Sequence, residues 1–179
     1  MRAGAADALR AHVRDIPDFP TPGIAFKDVT PLFLDAGALR TATDALADYA
    51  RDTGADYVVS AEARGFVLGG AVAAQAGTGF ILARKPGKLP RETASVQYQL
   101  EYGIDALEMH QDALSEGARV LVHDDLLATG GTAAALCGLV EQAGATVAGC
   151  AFLVELAFLG GRARLSPRDV HSLIVYESE

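Results

Sequence analysis

The sequence predicts an α/β protein: a mostly parallel, twisted sheet flanked by helices, with a half-exposed period-two segment departing from it. Two observations carry this reading. Strand-like apolar runs at 56–61, 79–83, 119–124, 146–155 and 171–177 alternate with helix-like stretches at 37–51, 65–76, 131–143 and a short one near 160–165. Over 88–104 the alternation stops. In "SVQYQLEYG", Val96, Tyr98, Leu100 and Tyr102 fall on one side of a period-two pattern, and Ser95, Gln97, Gln99 and Glu101 on the other. A parallel sheet covered on both faces takes its ligands at the carboxyl ends of its strands, so those ends are where chemistry is sought.

At the start of the chain Leu9, Val13 and Ile16 recur at helical spacing among charges. This predicts an amphipathic helix docked on the core, and no continuous apolar stretch reads as a signal peptide. The strand at 56–61 runs into "VVSAEARGFVLGG". A strand, a tight turn of small residues and a helix N-terminus form an anion pocket from backbone N–H groups. Arg64 adds a fork suited to phosphate, the alternative being a surface arginine paired to Glu62. Gly65, Gly69 and Gly70 do not fit G-x-G-x-x-G, which excludes a dinucleotide-binding reading. After 79–83, "RKPGKLPR" gathers Arg84, Lys85, Lys88 and Arg91, either as a solvated loop or as an anion-binding cluster. The flap beyond it is either a lid or an edge hairpin over the core.

The run "RVLVHD" ends on two adjacent acids, Asp124 and Asp125, before "LLATGGT" leads into a helix that Thr129 or Thr132 would cap and Gly144 would stop. Backbone N–H groups near Thr129–Thr132 make a second anion cradle, although no Walker lysine follows. Carboxylates beside a phosphate would repel it unless they address hydroxyl groups or a cation. A sugar phosphate accompanied by Mg²⁺ meets both needs.

Bulk properties narrow the classes further. With 179 residues, half of them apolar, the chain can bury one sizeable core, and it is read as a single domain over 1–179. A net charge of −8 opposes generic nucleic-acid binding. No apolar run approaches the roughly 18 to 20 residues of a membrane helix. Cys137 and Cys150 have no metal-type spacing and read as reduced, buried thiols of a cytoplasmic protein.

"VLVHDDLLATGGT" resembles the 5-phosphoribosyl-1-pyrophosphate (PRPP) signature of the type I phosphoribosyltransferases. "DFPTPGIAFKDVTPL" (18–32), "EARGF" (62–66), "RKPGKLP" (84–90) and "LEYGIDALEMH" (100–110) are similar to the adenine phosphoribosyltransferase family, in that family's order, from about residue 16 to 165. The resemblance implies the type I phosphoribosyltransferase fold with a base-binding segment over 1–34 and a flexible hood or flap over 84–104. It also implies a homodimer and a purine-salvage reaction: Mg²⁺-dependent transfer of ribose 5-phosphate from PRPP to N9 of adenine, giving AMP and pyrophosphate. Ala128, Thr129, Gly130, Gly131 and Thr132 would hold the 5-phosphate, and Asp124 and Asp125 the ribose hydroxyls. The metal would be carried by PRPP, reached through water by Asp124 or Asp125 and by no direct side-chain ligand.

The loop Glu62–Gly65, with Arg64 central, would meet pyrophosphate and contain a non-proline cis peptide. Arg84, Lys85 and Lys88 would meet the departing charge. Glu101 would handle a proton at the purine or stabilise the cationic sugar, and Tyr102 would contact the sugar phosphate. Phe26 and Leu159 would sandwich adenine while main-chain groups of Ala25 and Lys27 read its edge. His123 departs from the family, which usually has an aliphatic residue there; it reads as a neutral core histidine that would perturb Asp124 if protonated. Two rival readings are a transferase for another purine base and a PRPP-sensing regulator of the same fold.

Overall fold

The computed structural model describes residues 5–99 and 104–178. A helix Ala5–Arg10 (α1) is followed by two short strands, Arg14–Ile16 (β1) and Phe26–Asp28 (β2), paired antiparallel as a small separate sheet. Helices Thr30–Leu34 (α2) and Ala36–Asp52 (α3) lead to strand Tyr57–Ala61 (β3), helix Gly65–Ala76 (α4) and strand Gly79–Ala83 (β4). A hairpin of Thr93–Gln99 (β5) and Ile104–His110 (β6) interrupts the alternation. It then resumes with Arg119–Leu127 (β7), Gly131–Gln142 (α5), Thr146–Leu156 (β8), Gly161–Leu165 (α6) and Val170–Tyr176 (β9).

The main sheet has the order β4-β3-β7-β8-β9 and is parallel throughout. Its strands are apolar on both faces, because successive side chains point to opposite sides and each side is covered. Val58, Leu121 and Leu153 join Leu46 of α3 and Leu68 and Val72 of α4 in one core. Val59, Val122 and Phe152 join Leu136 and Leu139 of α5 in the other. The flap hairpin rests on this second side: Ala94, Val96 and Tyr98 pack inward while Ser95 and Gln97 stay exposed, as the period-two pattern predicts.

Three local expectations change. The N-terminal helix ends at Arg10, and Ile16 lies in a strand, because the residue before a proline (Pro17) is pushed out of the helical region. Leu9 still docks in the core, 1% exposed. The strand bearing the acids does not stop at Asp124 but continues to Leu127, held by the long neighbouring β8 through pairs such as Leu126 with Val154. Helix α5 has no threonine cap. Its N-cap is Gly130, left-handed at φ 79°, with no side-chain hydrogen bond to the first turn. The first-turn N–H groups therefore face the cradle loop unengaged by a capping side chain.

Candidate active site

The central strands β3 and β7 are neighbours, so their carboxyl ends deliver the 62–64 loop and the acid pair to one place. Arg64, Asp124, Asp125, Ala128–Thr132 and Leu159 all line a single pocket of about 420 Å³. Because Asp124 and Asp125 are successive strand residues, they face opposite sides of the sheet and take different partners. Asp125 is buried and accepts a hydrogen bond from Arg64 Nε at 2.6 Å. Asp124 accepts the Asp125 backbone N–H at 3.0 Å. Burial and the adjacent Asp125 charge hold the Asp124 carboxyl well above the usual carboxylate range, so this group is relieved by a cation or by hydroxyl donors. Gly65 makes room for it, since a Cβ there would lie 2.6 Å from Asp124 Oδ1.

Arg64 therefore pairs with Asp125 and not with Glu62, which binds Arg84 Nε at 2.5 Å. The Glu62–Ala63 peptide between these two ion pairs is cis. Arg84 is tied by its main chain to Glu108 of β6, and Lys85 Nζ reaches Asp105 at 3.1 Å. Lys88 is exposed, and its carbonyl accepts from Arg84 Nη1. These three cations form a rim on the flap side and do not line the pocket around the acids.

On the other side, the Arg64 guanidinium carbon lies 5.3 Å from the centre of the Phe26 ring, which meets Phe19 edge-on at 5.0 Å. Phe26 thus stands one side chain away from the acid pair. Ala25 is half-buried just before β2, and Lys27 is buried within it. Glu101 and Tyr102 lie outside the described residues.

The cradle loop is shaped by backbone approach. A Cβ on Gly130 would meet the Gly161 carbonyl oxygen at 2.7 Å, and a Cβ on Gly161 would collide with the Ala128 carbonyl. Behind it, Glu155 is 3% exposed and receives Arg162 through Nε at 3.0 Å and Nη2 at 2.6 Å, together with the Ser172 hydroxyl at 2.6 Å. This network braces the Ala157–Leu159 turn, which sets half-exposed Leu159 at the pocket's edge. Sequence reading missed it because its members sit in three separate elements, β8, α6 and β9, and share no motif. It also missed Tyr98, on the inward face of β5 beside Thr132; the alternation was the available signal.

His123 is fully buried, with Nδ1 2.9 Å from the Ala151 carbonyl, so the proton sits on Nδ1 and is donated to that oxygen. Burial lowers its pKa to about 4, which fits a neutral core histidine. Cys137 and Cys150 are buried and free. Among the described residues no cluster of three or more His, Cys, Asp or Glu is placed to hold a metal, and no helix is long and apolar enough to cross a membrane.

Comparison with known proteins gives consistent matches. A family profile described as phosphoribosyl transferase domain matches residues 34–176. A Rubrobacter xylanophilus protein named adenine phosphoribosyltransferase is 59% identical, over 94% of this chain and 91% of its own. The crystal structure of adenine phosphoribosyltransferase from Thermoanaerobacter pseudethanolicus superposes with a TM-score of 0.92 at 48% identity, covering 96% of this chain and 99% of that one. The Saccharomyces cerevisiae adenine phosphoribosyltransferase, solved with an imino-altritol bisphosphate and adenine, has a TM-score of 0.91 at 38% identity, covering 96% and 99%.

Proposed function

The chain belongs to the adenine phosphoribosyltransferases of the phosphoribosyl transferase family, and from that footing we propose that it joins adenine N9 to C1 of PRPP, releasing pyrophosphate and giving AMP. The observation that carries this reading is that a hydroxyl-accepting acid pair and a phosphate cradle open into one pocket. A ribose 5-phosphate presents both functions on one sugar, and Leu159 at the edge of the same pocket leaves an apolar side for the base.

In this reading the N–H groups of Ala128–Thr132 hold the 5-phosphate at the start of α5. Asp124 and Asp125 accept the ribose hydroxyls, and the Arg64 fork, steadied by Asp125, turns to the pyrophosphate. The C1–oxygen bond breaks as positive charge grows on the sugar, which carboxylates favour, while cations favour the departing diphosphate. Arg84, Lys85 and Lys88 on the flap-side rim complete that cationic side, and Tyr102 contacts the sugar phosphate. Glu101 handles the proton that N9 loses or stabilises the cationic sugar.

The two adjacent carboxylates, one of them held above its ordinary pKa, fit Mg²⁺ carried by PRPP and reached through water. When bound, Mg²⁺ would neutralise the leaving diphosphate. Phe26 and Leu159 stack on adenine while main chain at Ala25 and Lys27 reads its edge. The flap excludes water that would otherwise hydrolyse PRPP. We read 1–179 as one catalytic domain working in the cytoplasm as a homodimer. Half-exposed Val67 on α4 and Leu82 on the edge strand β4 offer apolar surface to a second copy.

The test is direct: purified protein with PRPP, Mg²⁺ and each of adenine, hypoxanthine, guanine and xanthine, with nucleotide resolved chromatographically. AMP from adenine alone is expected. Turnover of a 6-oxopurine without AMP would overturn the base assignment, and no turnover with any base would replace the enzyme by a PRPP-sensing regulator.

A further inference from the structure

The small β1–β2 sheet shares no strand pairing with the five-stranded sheet, yet it carries Phe26 and the main chain that would read the base. Adjacent residues of β2 point to opposite sides. If Phe26 looks toward Arg64, Lys27 looks away from it, and there it enters a cluster that the reaction itself does not use. Lys27 is only 5% exposed, and a buried cation is costly unless paired. Its Nζ lies 2.7 Å from Asp15 Oδ1, its register partner on β1, and 4.5 Å from the centre of the Tyr176 ring at the end of β9. The same ring has the Arg10 guanidinium of α1 at 4.5 Å, and Arg10 Nη2 donates to the Val175 carbonyl at 2.6 Å. Two elements of the N-terminal segment, α1 and β2, thus converge on one aromatic ring of the large sheet, and β1 holds the Lys27 charge through Asp15.

We propose that Tyr176, through its contacts with Lys27 and Arg10, is a positioning residue for the adenine pocket, fixing the height of β2 against the large sheet. The proposal rests on reading β2 as the strand that recognises the base. Phe26 and the β2 main chain can present a constant face to the purine only if the strand neither slides nor lifts. The ring and the Asp15–Lys27 pair supply that restraint from behind. The PRPP half of the site is built from β3, β7 and α5, and shares none of these contacts. Loosening the ring should therefore act on one substrate and spare the other.

Steady-state kinetics with each substrate varied in turn, on Tyr176→Leu, Tyr176→Phe, Lys27→Met and Phe26→Ala, test this. Tyr176→Leu should raise KM for adenine roughly fivefold to thirtyfold, the range that loss of a desolvated cation–ring contact converts to. KM for PRPP, and kcat at saturating adenine, should stay near the parent. Tyr176→Phe keeps the ring face and should behave as the parent. Lys27→Met removes the cation at nearly constant shape and should reproduce the adenine-only rise, which keeps the test available if Tyr176→Leu does not fold.

A rise in adenine KM for Phe26→Ala with none for Tyr176→Leu or Lys27→Met overturns the positioning role alone. Equal rises for both substrates, with a lowered melting temperature, overturn it in favour of a general structural anchor. If Phe26→Ala also leaves the adenine KM unchanged, it is the base-recognising role of β2 that falls.

Discussion

Helix α4 offers three glycines whose alanine variants separate site geometry from stability. An added Cβ at Gly70 meets nothing within 4 Å, so Gly70→Ala should gain only helix propensity, about 0.5 to 1 kcal/mol, with activity unchanged. At Gly69 the methyl meets the buried Ser60 hydroxyl and comes within 2.8 Å of Cε2 of the partly buried Phe80 under the helix. That overpacking should cost about 1 to 3 kcal/mol of stability, leaving catalysis in the folded fraction intact. At Gly65 the methyl would stand 2.6 Å from Asp124 Oδ1, about 0.8 Å inside the 3.4 Å at which ordinary contact begins. Asp124 must then swing away from the ribose. A charge-assisted contact is worth about 1.5 to 3 kcal/mol, so kcat/KM for PRPP should fall roughly tenfold to a hundredfold. Initial rates at varied PRPP, alongside thermal melts, read both axes. A folded Gly65→Ala enzyme with parental kcat/KM would refute Asp124 as a sugar contact, as would Gly69→Ala or Gly70→Ala losing activity to the same extent.

Asp125→Asn removes the charge that steadies Arg64 at 2.6 Å and should lower kcat by about 3 kcal/mol, near a hundredfold, in the same assay. Parental turnover would remove its sugar-side role. Gly130→Ala forces a side chain into φ 79° and against the Gly161 carbonyl, so KM for PRPP should rise and urea unfolding should show a loss of about 1 to 3 kcal/mol.

His123 gives a pH dependence with a defined sign. Its folded pKa lies below the unfolded 6.5, at about 4, so the unfolded chain binds the extra proton. Stability is fully present above 6.5 and is lost as pH falls through the window down to about 4, by about 3 kcal/mol. Denaturation of His123→Val at pH 7 and pH 5 should show a smaller drop than the parent. Asp124, whose raised pKa has the opposite sign, is common to both proteins and cancels; equal drops would exclude His123 as the source.

How much of this was legible in the residues follows from where each signal is stored. The five strands of the main sheet were readable because burial on both faces makes them continuous apolar runs, as in "RVLVHD" and "TVAGCAFLVE". The acid pair and the cradle were readable because they are contiguous, Asp124 through Thr132. Strand β6 was not, since its inward Leu107 and Met109 alternate with Glu108 and Ala106 too briefly to stand out against the charged residues around them. Nor were partners visible: Arg64 had a neighbouring acid in Glu62, but folding gives it Asp125, and Glu62 goes to Arg84. The absence of a threonine cap on α5 was hidden because a glycine that supplies no cap looks, in sequence, like any turn residue.

The attachment of α1 to β9 also bears on the order in which the site is assembled. Arg64 meets Asp125 across 61 residues, whereas Arg10 meets Val175 across 165. Longer loops close more slowly, and residues made late in synthesis join late. On refolding, the Arg64–Asp125 contact of the PRPP half can therefore form before the contacts of Tyr176 that complete the base half. Pulse-labelled hydrogen exchange during refolding should find β3 and β7 protected before β2; simultaneous protection would show that both halves form in one step.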